Sequence, residues 1–210
     1  MQTIVLNSKN NLEEAINQSI EFLNRGEIIV FPTETVYGMG ADFFNLDACK
    51  KIFEIKFREE KKPLSAHVSN LSMIEMICHP IPKEFYLLAK HFLPGPLSII
   101  LQKKKEIQNF PLTETIAIRF PKNDCALRLI EKFGKPIAAT SVNKSGKKPL
   151  NLSEEILSEF NGKIAAILDD GPPAYSAEST VISLCSKPAK ILRQGVFPKE
   201  AIEDVLKMNL

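Results

Sequence analysis

The sequence predicts an α/β fold, a twisted mixed parallel and antiparallel sheet flanked by helices, built as a single domain over residues 1–210. Three observations carry that expectation. Short apolar runs alternate along the whole chain with segments of helical period. Residues suited to capping, Asn11, Asn70 and Ser153, stand at the starts of helical segments. Some neighbouring strands, above all the last two, are joined too tightly for a crossover helix and should be antiparallel.

Taken in order, Asn11-Leu12-Glu13-Glu14 reads as a capping box, with Asn11 at the N-cap and Glu14 reaching back. Leu12, Ala15, Ile16, Ile20 and Leu23 then share a helix face that stops near Gly26. Glu27–Phe31 is an apolar strand, cut off by Pro32 because proline cannot donate to a ladder. The turn Thr33-Glu34-Thr35-Val36-Tyr37-Gly38-Met39-Gly40 follows, with hydroxyls, a carboxylate and two glycines beyond the strand end, where α/β folds hold ligands. A helix from Asn45 or Leu46 to about Phe57 turns Cys49, Ile52 and Phe53 inward. Leu64–Val68 is a strand carrying His67; Asn70 caps a short helix through Cys78, and Lys83–Phe92 is another.

Pro94-Gly95-Pro96 interrupts the chain, and Leu97–Leu101 is a buried strand followed by Lys103-Lys104-Lys105, expected as a solvated strand end. Thr115–Phe120 is a strand, Asp124–Phe133 a helix ended by Gly134, and Pro136–Thr140 a strand feeding the polar loop Ser141–Gly146. Ser153 is expected to cap a helix to about Phe160. Ile164–Leu168 is a strand, Asp169–Pro173 a turn, Thr180–Leu184 and Ala189–Arg193 a strand pair, and Pro198 opens a last helix. No linker, repeat or low-complexity tract interrupts this order.

Composition excludes several classes. With 44% apolar and 25% charged residues in 210, a sizeable core is available and disorder is not expected. A net charge of +2 means any nucleic-acid binding must come from local patches. No apolar run approaches the roughly 18–20 residues of a membrane span, and MQTIVLNSKNNLEEA has no signal-peptide pattern. A cytoplasmic protein without membrane attachment is expected. The 4 cysteines, Cys49, Cys78, Cys125 and Cys185, form no CxxC pair, and the 3 histidines show no HxxxH spacing. No protein-held metal site is expected; a metal should arrive with a ligand.

Polar groups recur at strand ends: Thr33 and Thr35, Thr115 with Arg119, Ser141 with Asn143, and Ser179 and Thr180 with Arg193. Between them lie Lys56, Arg58, Lys61 and Lys62. Should the strand ends converge, they form a pocket of hydroxyls and cations without a cysteine nucleophile or a serine triad. Such a pocket suits a polyanion such as a nucleoside triphosphate, and catalysis by positioning and charge neutralisation. Neither GxxxxGK[ST] nor GxGxxG is present. Plainer readings stand beside these: Thr35 and Ser179 as turn caps, His67 as a core histidine, Arg119 as a surface strand residue, and Tyr37 packed under the turn.

FPTETVYGMGAD, IFEIKFR with KKPLSAH, PGPLSIIL, TIAIRFP, PIAATSVNKSG, ESTVI and ILRQG, in this order, resemble the YrdC-like family across roughly Gly26 to Gly195. That family contains the threonylcarbamoyl-adenylate synthases. Its lysine, arginine, serine and asparagine signature falls on Lys56, Arg58, Ser141 and Asn143, which the resemblance makes the catalytic residues. Phe57 stands where a glycine is usual, Glu59 replaces a proline, and Thr140-Ser141-Val142-Asn143 replaces proline-serine-alanine-asparagine. These departures bear on loop geometry more than on chemistry. Because the chain ends soon after ILRQG, it resembles the short, single-domain members.

The resemblance implies a reaction of L-threonine, bicarbonate or CO2, and ATP with Mg²⁺, giving threonylcarbamoyl-AMP and pyrophosphate. The product supplies a modification of tRNA next to the anticodon, handed on through a separate threonylcarbamoyl-transferase complex. By the same carry-over, ATP contacts fall on Lys56, Arg58, Lys62, Thr115, Ser141, Pro149 and Arg193. Threonine contacts fall on Thr35, His67, Arg119, the Ala139 backbone and Ser179, with Arg119 suited to a bidentate grip on the carboxylate. Two other classes stay open: a non-catalytic RNA-binding module, and a carbamoyl-transfer domain of the hydrogenase-maturation type. The long chains and zinc-finger-like cysteines of the latter are missing from this sequence.

Overall fold

Four of the described helices in this protein start at an asparagine side-chain cap. In a computed structural model, which describes residues 2–207, Asn11 accepts from the Glu14 backbone N–H and opens α1 (Leu12–Asn24). The Asn11 amide also donates to the Glu14 carboxylate at 3.0 Å, so the expected box is closed side chain to side chain. Asn45 caps α2 (Leu46–Lys56), Asn70 caps α3 (Leu71–Ile77), and Asn123 caps α5 (Asp124–Phe133) in the same way. α4 is Lys83–Phe92, α6 Ser153–Phe160 and α7 Lys199–Leu206. The cap expected at Ser153 is corrected: Leu152 holds the N-cap position, and the Ser153 hydroxyl donates to Asp169 Oδ2 at 3.2 Å.

The strands are β1 (Ile4–Asn7), β2 (Ile29–Phe31), β3 (Gly38–Asp42), β4 (Ser65–His67), β5 (Leu97–Gln102), β6 (Thr115–Arg119), β7 (Ile137–Ser141), β8 (Ala166–Asp169), β9 (Thr180–Ser183) and β10 (Lys190–Arg193). They form one ten-stranded sheet in the order β1-β8-β2-β3-β7-β4-β6-β5-β9-β10. Parallel pairs (β1 with β8, β4 with β6) and antiparallel pairs (β3 with β7, β9 with β10) are mixed, as the tight connections require.

Two strands lie where no strand was expected. In β1 only Leu6 is buried, so its apolar signal is weak. β3 reads Gly-Met-Gly-Ala-Asp, a composition that disfavours strands unless a neighbour comes close. It does: a Cβ on Gly40 would lie 2.7 Å from Ile137 Cγ2 and 2.8 Å from Phe31. The expected solvated lysine run is also corrected at Lys103, which is buried, bridges to Cys78 and donates its ammonium to the Ile107 carbonyl.

The two faces of the central strands differ in side-chain size. One row across six strands, Ala41, Ala138, Ala66, Ile118, Ile99 and Ile182, is fully buried in the core. The adjacent row of opposite parity is Gly40, Ala139, Ser65, Ala117 and Ile100. Next on that second face come Ile137, His67, Arg119, Ser98 and Val181. Small and polar side chains therefore leave room above the sheet on one side only. Among the described residues, no helix is long and apolar enough to cross a membrane.

Candidate active site

The room above the small-residue face is a cavity of about 560 Å³. Thr35, His67, Ser98, Arg119 and Ser179 form its closed end, all buried. Arg58, Lys62, Ser141, Lys147 and Arg193 line its more exposed part, with Asn143 beside them. Ten of the residues expected at the site thus reach one cavity: Thr35, Arg58, Lys62, His67, Arg119, Ala139, Ser141, Asn143, Ser179 and Arg193.

Three do not. Thr115 lies on β6 ahead of Ala117, pairs with Gln102, and is off the wall. Pro149 sits in the loop before Leu150, whose N–H donates to the Val142 carbonyl. Lys56 is 1% exposed and lies behind the wall. Its ammonium donates to Ser141 O at 2.5 Å, to the Asn143 carbonyl, and to Asn143 Oδ1 at 3.1 Å. All three of its N–H donors are occupied, so an expected phosphate contact becomes a clasp on the loop that presents Ser141 and Asn143. Burial first, and the Arg58 guanidinium second, push Lys56 down to about 7.

That loop is fixed from within as well. The Ser141 hydroxyl donates to Asn143 Oδ1 at 2.7 Å, and the Asn143 amide donates to the Lys144 and Lys147 carbonyls at 2.9 and 2.7 Å. Across the cavity, Arg58 donates to the Lys62 carbonyl at 2.6 Å and to the Pro63 carbonyl at 3.2 Å. These backbone contacts orient the guanidinium without neutralising it.

At the closed end the Arg119 guanidinium meets Glu34 Oε1 at 2.5 Å and the Leu97 carbonyl at 3.3 Å. Arg119 is therefore a buried, paired arginine, and a ligand carboxylate has only its remaining donors to use. His67 packs edge-on against Phe31 with ring centroids 5.3 Å apart. Among the described residues, its Nδ1 is buried without a hydrogen-bond partner. Burial, then Arg119, push the imidazole down to about 3, so it is neutral near pH 7.

Thr33 Oγ1 donates to the Val36 carbonyl at 2.6 Å, so the 2.9 Å contact between Thr33 and Thr35 uses the Thr35 hydrogen. Thr35 Oγ1 then faces the cavity as an acceptor. The Ser98 and Ser179 hydroxyls lie 2.9 Å apart, and Arg193 donates to the Ser179 carbonyl at 3.1 Å and to its hydroxyl at 3.3 Å. Arg193 also pairs with Glu178 at 2.8 Å. Tyr37 is fully buried, and its hydroxyl donates among Asp169 and the Gly171 carbonyl, which places it under the turn.

Ser98, Ser65, Glu34 and Glu178 were not read from the sequence as site residues. Ser98 carried a usable signal, a hydroxyl in the otherwise apolar run Leu97–Leu101. Glu34 carried another, a carboxylate between two threonines at a strand end.

Residues 21–195 match the Sua5, YciO and YrdC family model, described as "Telomere recombination". A Pyrococcus abyssi protein named threonylcarbamoyl-AMP synthase is 40% identical over 207 residues, covering 97% of this chain and 61% of the relative. A Bacillus subtilis protein of the same name is 42% identical over 194 residues, covering 91% and 56%. The crystal structure of P. abyssi Sua5 complexed with L-threonine matches with a TM-score of 0.92 at 38% identity, over 98% of this chain and 61% of that one. The chain thus spans 61% and 56% of the length of these curated relatives. By its matched residues and its fold, the chain belongs to the Sua5, YciO and YrdC family.

Proposed function

We propose that this chain is a threonylcarbamoyl-AMP synthase, acting as one domain on L-threonine, bicarbonate or CO2, and ATP. The observation that carries this reading is the division of a single cavity: a buried arginine with hydroxyls and a neutral imidazole at one end, and exposed cations at the other. The names of the relatives and the threonine-bound Sua5 structure support it.

The threonine amine attacks the carbon of CO2 and loses a proton, or condenses with bicarbonate and releases water, to give a carbamate. A carbamate oxygen then attacks the ATP α-phosphorus, and the bond to the β-phosphate oxygen breaks with its electron pair leaving on pyrophosphate. Both reactants are anions, so cations must offset their repulsion; Arg58, Lys62 and Arg193 are placed for that. Mg²⁺ enters on the triphosphate as part of the substrate.

Ser141 and Asn143 face the nucleotide, and Lys56 acts through them. Thr115 and Pro149 contribute to ATP binding only if the nucleotide extends past the cavity wall. Thr35, His67, Arg119, the Ala139 backbone and Ser179 hold the threonine, with Arg119 on its carboxylate. The product passes to a separate threonylcarbamoyl-transferase complex that modifies tRNA beside the anticodon, in the cytoplasm.

The test is product mass. Incubation with ATP labelled at the α-phosphate, ¹³C-bicarbonate and L-threonine is expected to give one nucleotide carrying both labels. Release of AMP or ADP alone, with no bicarbonate carbon bound, would overturn the reading.

A further inference from the structure

The closed end of the cavity is balanced in charge, and Glu34 is the reason. Glu34 and Arg119 pair at 2.5 Å with side chains only 5% and 3% exposed. Arg119 lines the cavity whereas Glu34 does not, so the carboxylate acts from behind the guanidinium. Glu34 Oε1 and the Leu97 carbonyl occupy two of the five Arg119 N–H donors, which leaves three for a ligand. The imidazole of His67, paired with Arg119 across the two strands, is buried and neutral. The open end differs: the Arg58 guanidinium makes no ion pair among the described residues and its hydrogen bonds go to backbone carbonyls, while Lys62 has a 3.6 Å contact with Glu59 between exposed side chains.

A net anion entering the closed end would bring an unbalanced charge into a buried site, which is costly. A zwitterion would not. Its carboxylate meets the free Arg119 donors, and its nitrogen meets the Thr35 hydroxyl, whose own hydrogen is committed to Thr33. We infer that Glu34 is a specificity-determining positioning residue: by neutralising and orienting Arg119, it makes this end select an α-amino acid over the hydroxy acid of the same shape. This deepens the synthase reading and rests on it.

Calorimetric titration of the full chain with L-threonine and with its 2-hydroxy analogue, 2,3-dihydroxybutanoate, tests the inference without turnover. The wild-type chain is expected to bind threonine at least about tenfold more tightly than the analogue. Glu34→Gln leaves Arg119 unneutralised, so the preference is expected to shrink by about tenfold, chiefly because the anion gains affinity. Glu34→Asp, which keeps the charge, is expected to restore most of it. An unchanged ratio in a Glu34→Gln protein that melts cooperatively would overturn the inference. If that variant does not fold, the wild-type ratio decides, and analogue binding within about twofold of threonine would overturn it. Threonine binding absent from the wild-type chain would instead defeat the synthase reading, and this inference with it.

Discussion

The Lys56 ammonium donates to the Ser141 carbonyl at 2.5 Å across a sequence separation of 85 residues, and the Ser145 N–H donates back to the Lys56 carbonyl at 3.0 Å. The end of α2 and the loop after β7 are thereby locked together. This clasp holds Ser141 and Asn143 against the cavity, so that on the proposed reading one lysine serves both stability and chemistry.

Lys56→Met removes three donors and leaves buried carbonyl groups unpaired. A loss on the order of 3 kcal/mol in urea unfolding is expected, together with loss of ATP-dependent turnover. An unchanged unfolding midpoint would contradict the clasp.

Arg58→Ala separates the two roles. Arg58 is half-buried and donates only to the Lys62 and Pro63 carbonyls, so its removal should cost at most about 1 kcal/mol of stability. On the proposed reading, its removal should raise the KM for ATP by at least about tenfold, because a charge that would face the phosphates is lost. Equal ATP use in the folded variant would rule out the phosphate-facing role.

His67 sets a pH dependence whose sign follows from its burial. Its folded value of about 3 lies below the ordinary histidine value of 6.5, so the unfolded chain binds the extra proton first. The contribution is fully present above pH 6.5 and is lost as pH falls toward 3. Across that window the wild type should lose a few kcal/mol more than His67→Asn, on the order of 3. Parallel stability profiles for the two proteins would show that the imidazole is not buried neutral.

Phe57 closes α2 in the left-handed region, with φ 51° and ψ 46°, while the residue is 77% exposed. A non-glycine residue there costs about 1 kcal/mol and this side chain packs little in return. Phe57→Gly should therefore raise stability by about 0.5–1 kcal/mol, seen as a higher Tm. A lower Tm would mean that the ring makes contacts that matter to the fold.

The legible parts of the chain are those where local pattern and tertiary packing agree. α4 and α5 begin and end where helical period predicts, and Gly134 ends α5 at φ 75°. β3 was not legible, because its glycines depress any strand signal and only the nearness of Phe31 and Ile137 explains them. Lys56 was legible as a cation but not as an inward one. Yet it continues the buried stripe of Cys49, Ile52 and Phe53 at helical spacing, which is the signal that was passed over. Arg119 and Ser141 were legible as polar groups at strand ends and His67 as a strand residue, while their expected roles, and Ala139, came into view through the family motifs. Ser98 and Glu34 carried local signals, a hydroxyl in an apolar run and a carboxylate at a strand end, but their part in the site emerges from strand register and the ion pair, relationships between segments far apart in sequence.

The most direct test of the central claim is pyrophosphate release from Mg²⁺-ATP, with L-threonine and bicarbonate each supplied or withheld. The expected result is release only when both are present, greatly reduced by Arg58→Ala. Release that ignores either co-substrate, or no release from a well-folded chain, would contradict the synthase reading.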